Sequence, residues 1–143
     1  MINAAMVGLG RWGQTVLNSV QGKSDCIRIV HGVTKEPELA RELATKHGFR
    51  LSTDLKDALA DPDVQAVLLA TPHSLHVEQV EMVAAAGKPV WCEKPLALTR
   101  KRAERAVGAV KAANLPFGSG NNKRCFASMR ELKRVVESGE IGK

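Results

Sequence analysis

The sequence predicts an α/β fold in which a parallel sheet is wound in two halves and covered by helices. Three observations carry that expectation. Strand-like and helix-like segments alternate along the 143 residues with short connections, the pattern of parallel strands joined by crossover helices. The turn Gly8-Leu9-Gly10-Arg11-Trp12-Gly13 directly follows an apolar run and opens an amphipathic stretch. Val64 to Ala70 is apolar enough to be a central strand buried on both faces.

Taken in order, Ile2 to Val7 is the first expected strand, and the glycine turn leads into a helix reaching about Val20. Ile27 to Thr34 is the second strand. Pro37 suits a first helical turn, Leu39, Ala40, Leu43 and Ala44 share one face, and Gly48 can end that helix. A short third strand lies near Phe49 to Leu51, followed by a small helix around Leu55 to Leu59. Asp61-Pro62-Asp63 turns the chain into the fourth strand, Val64 to Ala70. A helix from about Ser74 to Ala86 passes through Gly87-Lys88-Pro89 to a strand at Val90-Trp91-Cys92, which Pro95 must stop because it cannot donate to a ladder. Thr99 starts a basic helix, and Leu115 to Gly118 forms a sixth strand. Ser128-Met129-Arg130-Glu131 has the form of a capping box, opening a helix with Met129, Leu132, Val135 and Val136 inward and Gly139 at its end.

A composition of 44% apolar and 25% charged residues is that of a globular chain about one domain long. No signal-peptide pattern and no apolar run of roughly 20 residues is found, so the expected location is cytoplasmic, with no membrane partner. Cys26, Cys92 and Cys125 are widely spaced and odd in number, as expected of reduced thiols. Residues 1 to 99 carry 10 Lys and Arg against 11 Asp and Glu, whereas 100 to 143 carry 11 against 4. That basicity falls on a helix whose apolar positions Ala103, Ala106, Val107 and Val110 keep helical spacing, so a solvated face is expected. With no Tyr and five other aromatics there are few platforms for bases, and no nucleic-acid partner is expected.

The glycine turn sits in a strand-helix-strand unit of the right length for a Rossmann-type dinucleotide site, with a pyrophosphate against backbone N–H groups at the positive helix end. About 20 residues on, where an acid would hold the ribose of NAD, stand Thr34-Lys35. A hydroxyl beside an ammonium suits a 2′-phosphate, so NADP is the preferred cofactor and NAD the alternative. Two readings stay open beside it: Glu36 returns an acid to the site if the chain shifts by two residues, or Thr34 and Lys35 are ordinary loop residues. Thr71-Pro72-His73-Ser74-Leu75-His76 follows the fourth strand, beside the glycine turn in a doubly wound order. His73 and His76 lack a third ligand, so no metal is expected, and hydrogen bonds near a ribose or substrate fit them better. Glu93-Lys94-Pro95 ends the fifth strand and should project its charges into the same crevice. Lys94 could bond a substrate hydroxyl and stabilise charge on its oxygen as hydride leaves. The alternative is a surface ion pair. Cys92 should point the other way, as a packed core thiol.

These motifs, with Ala70-Thr71-Pro72-His73-Ser74-Leu75-His76, Cys92-Glu93-Lys94-Pro95-Leu96-Ala97 and Ser138-Gly139-Glu140-Ile141-Gly142, resemble those of the Gfo/Idh/MocA oxidoreductases, in family order and over essentially the whole chain. The resemblance implies an NAD(P)-dependent transfer of hydride between a nicotinamide cofactor and a sugar or cyclitol hydroxyl. It makes Lys94 the catalytic lysine that contacts substrate and nicotinamide ribose, with Pro95 often in a cis peptide and Glu93 and Thr71 lining the cofactor site. Thr34 stands where the family usually has an acid, and Asn122-Lys123-Arg124-Cys125 where it has Asn-x-Arg-Phe, which keeps Asn122 as a cofactor-binding candidate. The family also has a second α/β domain with a large sheet that supplies most of the substrate pocket. Residues 1–120 are therefore expected to be the NAD(P)-binding domain, and 121–143 a linker and first helix of that second domain, without its sheet. The expected consequence is a truncated chain that binds cofactor with little or no turnover alone and leaves the Met129, Leu132 and Val135 face of its last helix exposed and prone to self-association, the intact enzyme being a homo-oligomer. The competing expectation is a non-catalytic NADP(H)-binding or regulatory module acting with another subunit.

Overall fold

In a computed structural model that describes residues 1–142, strands Ile2–Val7 (β1), Ile27–Val33 (β2), Arg50–Ser52 (β3), Ala66–Leu69 (β4), Val90–Cys92 (β5) and Phe117–Ser119 (β6) form one parallel sheet. Its order is β3-β2-β1-β4-β5-β6, so the winding reverses between β1 and β4. Ser52, Val33, Val7, Leu69, Cys92 and Ser119 are partners in one line across all six strands. The ladder continues one residue further: Thr34, Gly8, Ala70, Glu93 and Gly120 each donate an N–H to a carbonyl of that line, at 2.8 to 3.1 Å. Every connection after a strand thus leaves from one level.

The helices are Arg11–Val20 (α1), Pro37–His47 (α2), Leu55–Ala60 (α3), His76–Ala85 (α4), Arg100–Ala112 (α5) and Ala127–Ser138 (α6). Alternation along β1 splits the core between the two faces. Ala5 and Val7 join the core under α3, α4 and α5, with Val77, Val80, Val83, Ala106 and Val110. Ala4 and Met6 meet Leu17 of α1 and Ala40 and Ala44 of α2. On that second face, beyond α1, the sheet borders a cavity of about 740 Å³ whose lining includes Val16, Val20, Leu68, Trp91 and Gly118. Between α4 and α5 the basic face is occupied by ion pairs, Arg102 to Glu78 and Arg105 to Glu81, both at 2.6 Å. The expected basic helix does begin at Thr99, whose hydroxyl accepts the Arg102 N–H. Gly48 and Gly139 end α2 and α6 in left-handed conformation.

Four expectations need correction. The ladder in β4 covers Ala66–Leu69, not Val64 to Ala70, because Val64 is buried from a turn, its N–H bonded to Asp61 O at 3.2 Å. The helix expected from Ser74 starts as a 3-10 turn at His73–Leu75 and becomes α-helical only at His76. The capping box is absent: a 3-10 turn at Asn122–Cys125 delivers an extended Phe126 as the cap, so Ser128 already lies within α6. Glu131 pairs with Arg134 at 2.8 Å instead of reaching back. Finally, of the α6 face read as inward, Met129, Leu132 and Val136 are exposed and Val135 is half-buried, in line with the exposure expected of this face in a chain without the second domain's sheet.

Buried polar groups fasten the crossover between the two halves. His31 on β2 contacts the Asp61 carboxylate through Nδ1 at 2.8 Å and Ser52 Oγ through Nε2 at 3.0 Å, and Arg50 reaches Asp61 at 2.7 Å. Burial alone would raise the Asp61 carboxyl, but His31, the Asp63 N–H and the Arg50 guanidinium together hold it below the usual carboxylate value. A carboxyl lowered on folding stabilises the protein above its unfolded value, about pH 4, and that contribution fades as pH falls through the folded value. Denaturant melts should show Asp61→Asn costing about 1–3 kcal/mol at pH 7 and losing less than the parent between pH 7 and 3; equal acid losses would remove Asp61 as a cause.

Candidate functional site

Three connections leave the common level on adjacent strands β1, β4 and β5, and the first is built by what its glycines leave out. Gly8 takes φ 90°, and a Cβ there would sit 2.7 Å from Ala70 O. A Cβ at Gly13 would lie 1.8 Å from Gly8 O, so only a glycine lets α1 close on the turn. Gly10 is the cap of α1 in extended conformation, with no side-chain cap, no acid in the first turn and nothing within 4 Å of where its Cβ would be. Leu9 is buried with its carbonyl accepting from Gln14 Nε2 at 2.9 Å, while Arg11 and Trp12 are exposed. The helix therefore presents a positive end to open space.

The β5 connection is tied to this turn. Trp12 Nε1 donates to Glu93 Oε1, and Glu93 Oε2 accepts the Lys94 N–H at 2.9 Å. Glu93 is only 5% exposed, and a Cβ at Gly120 would come within 2.6 Å of its carboxylate. Glu93 thus turns back onto its neighbours, whereas Lys94 is exposed and, among the described residues, forms no side-chain ion pair or hydrogen bond. The Lys94-Pro95 peptide is cis. Below them Cys92 points into the core, and burial, then the Glu93 carboxylate, push its thiol up to about 12.

On the β4 connection, Thr71 is half-buried with its hydroxyl bonded to Gln79, and Pro72 and His73 are exposed. His76 is buried with both ring nitrogens engaged by main-chain carbonyls. The His73 and His76 ring centroids lie 6.2 Å apart, and no group of three potential ligands gathers among the described residues. At the end of β2, Thr34 Oγ1 accepts the Glu36 N–H at 3.3 Å and Lys35 is exposed. Asn122, after β6, lines the cavity with Trp12 and Glu93. Sequence reasoning missed Gly120 and the inward turn of Glu93; a glycine one residue past a strand end was the available signal.

A family model described as an oxidoreductase family with an NAD-binding Rossmann fold, Gfo/Idh/MocA, matches residues 2–120. The chain belongs to this family. Among its relatives, myo-inositol 2-dehydrogenase of Thermotoga maritima is 34% identical over 96% of the chain and 41% of its own length. Levoglucosan dehydrogenase of Pseudarthrobacter phenanthrenivorans is 40% identical over 75% of the chain and 28% of its own length. The structure of the Bordetella pertussis WlbA dehydrogenase, a complex with NADH and UDP-GlcNAcA, superposes with a TM-score of 0.92 at 30% identity over 99% of the chain and 41% of that structure. The chain spans about two fifths of the length of such Gfo/Idh/MocA proteins. No helix among its described residues is long and apolar enough to cross a membrane.

A thiol reagent should modify the exposed Cys26 and Cys125 in the native protein and Cys92 only after unfolding. Three equally fast reactions would contradict the burial of Cys92.

Proposed function

We propose that the chain is the dinucleotide-binding part of an NAD(P)-dependent oxidoreductase that moves hydride between a nicotinamide and a sugar or cyclitol hydroxyl. One observation carries this reading: the glycine turn, the Thr71 turn and Lys94 leave neighbouring strands at one level, where the winding of the sheet reverses. The open, uncapped start of α1 fits a pyrophosphate, which Gly8, Leu9, Gly10, Arg11, Trp12 and Gly13 would hold. Thr34 and Lys35 would meet the 2′ end of the adenosine ribose, with NADP preferred over NAD. Thr71, Pro72, His73, Glu93, Lys94 and Asn122 would border the nicotinamide end, and residues 121–143 would begin a further domain.

The bound nicotinamide supplies the hydride acceptor. Lys94 would donate a hydrogen bond to the substrate oxygen and stabilise the alkoxide charge that appears as the hydroxyl proton passes to a general base, which this reading places in the further domain; that charge is then drawn into the carbonyl as hydride leaves the carbon. Glu93 does not compete for that ammonium, because its carboxylate is occupied by the Trp12 indole and the Lys94 main chain.

Calorimetric titration should show NADPH binding more tightly than NADH by about tenfold, the worth of a charge-assisted hydrogen bond, and Lys35→Glu should reverse the order. An unchanged ratio would remove Lys35 from the 2′ site. In a full-length relative carrying this half, Lys94→Ala should lower kcat by about 100-fold or more with a smaller change in cofactor affinity, and normal turnover would refute its role.

A further inference from the structure

His76 is 1% exposed, and its two ring nitrogens face two different connections. Nδ1 lies 2.9 Å from the carbonyl oxygen of Pro95, in the β5 connection, and Nε2 lies 2.8 Å from that of Thr71, in the β4 connection. Carbonyl oxygens only accept, so each contact becomes a hydrogen bond where the ring nitrogen carries a hydrogen. A neutral imidazole makes one such bond and a doubly protonated ring makes both. In either case a carbonyl oxygen stands within 2.9 Å of each ring nitrogen and leaves no room for a ligand there, so the part His76 plays is within the protein.

The residue it steadies is identified by what lies beside it. The main chain of Lys94 is held on one side by Glu93 Oε2, which accepts its N–H, and the Pro95 carbonyl is held on the other by His76. The Lys94 side chain is left exposed. We propose that His76 is a positioning residue that fastens the Thr71 turn to the Lys94-Pro95 turn and so fixes where the ammonium stands against the nicotinamide end of the crevice. The fastening is a property of the geometry alone, while its effect on a cofactor rests on the binding site proposed above.

Two ligands separate positioning from general support: NADPH, and 2′-phospho-ADP-ribose, which is the same molecule without the nicotinamide. His76→Phe keeps a flat ring but donates nothing, and should weaken NADPH about 3- to 10-fold, the worth of one hydrogen bond, while leaving 2′-phospho-ADP-ribose unchanged. His76→Gln retains an amide donor and should fall between parent and Phe. Equal losses for both ligands, or none for either, overturn the proposal. If His76→Phe does not fold, His76→Gln with the same two ligands decides by the same criterion. A second measurement is independent of any ligand. In long-range ¹H–¹⁵N spectra of the parent chain, His76 should show at least one slowly exchanging ring N–H while the exposed His73 shows none, and a His76 ring exchanging as fast as that of His73 overturns the fastening. Failure of the parent chain to bind either ligand would instead refute the dinucleotide site, leaving the spectra to judge His76.

Discussion

The shared row of backbone pairing through Ser52, Val33, Val7, Leu69, Cys92 and Ser119 is the constraint on which the site depends. Parallel strands joined by helices all point their carboxyl ends the same way, so a common register converts sequence-distant turns into one rim. A slip of one residue in β5 would exchange the faces of Cys92 and Glu93, placing a carboxylate in the apolar core and a thiol at the crevice. The apolar environment of Cys92 beneath α4 and α5 opposes that slip as directly as the hydrogen bonds do.

Upon that rim, side chains do what the ladder cannot. Loops are mobile unless something ties them, and a site that must hold a ligand in one geometry gains from ties made before the ligand arrives. Glu93 joins the β5 connection to the glycine turn through the Trp12 indole, and His76 joins it to the β4 connection. Glu93 and His76 are themselves buried, where a hydrogen bond is stronger and an unmet one more costly. The exposed ion pairs between α4 and α5 contribute much less per pair, since water screens them.

Much of this was legible in the chain because it rests on local chemistry. The β1, α1 and α2 segments follow from apolar period, Pro37 and Gly48, and Thr99 caps α5 as its hydroxyl suggests. The glycine turn was readable because steric exclusion acts over a few residues. What failed depends on distant parts. Val64 is as buried as a strand residue yet outside the ladder, since burial and pairing are separate facts. Ser128 has the residue type of a cap, but the preceding 3-10 turn decides where α6 begins. The protein partners of Glu93 and His76, the Trp12 indole and the Pro95 carbonyl, were not legible either, because each is brought by another strand, which spacing along one segment does not reveal.

The tie between Trp12 and Glu93 has an optical consequence. Because the chain contains no Tyr, its near-ultraviolet emission comes almost wholly from two indoles, Trp12 beside the glycine turn and Trp91 beneath the neighbouring connection. One is about half exposed and hydrogen-bonded to a carboxylate; the other is half-buried along an apolar cavity. The protein thus carries its reporters at the rim and under it, and a change in their emission speaks of this corner of the molecule rather than of the whole.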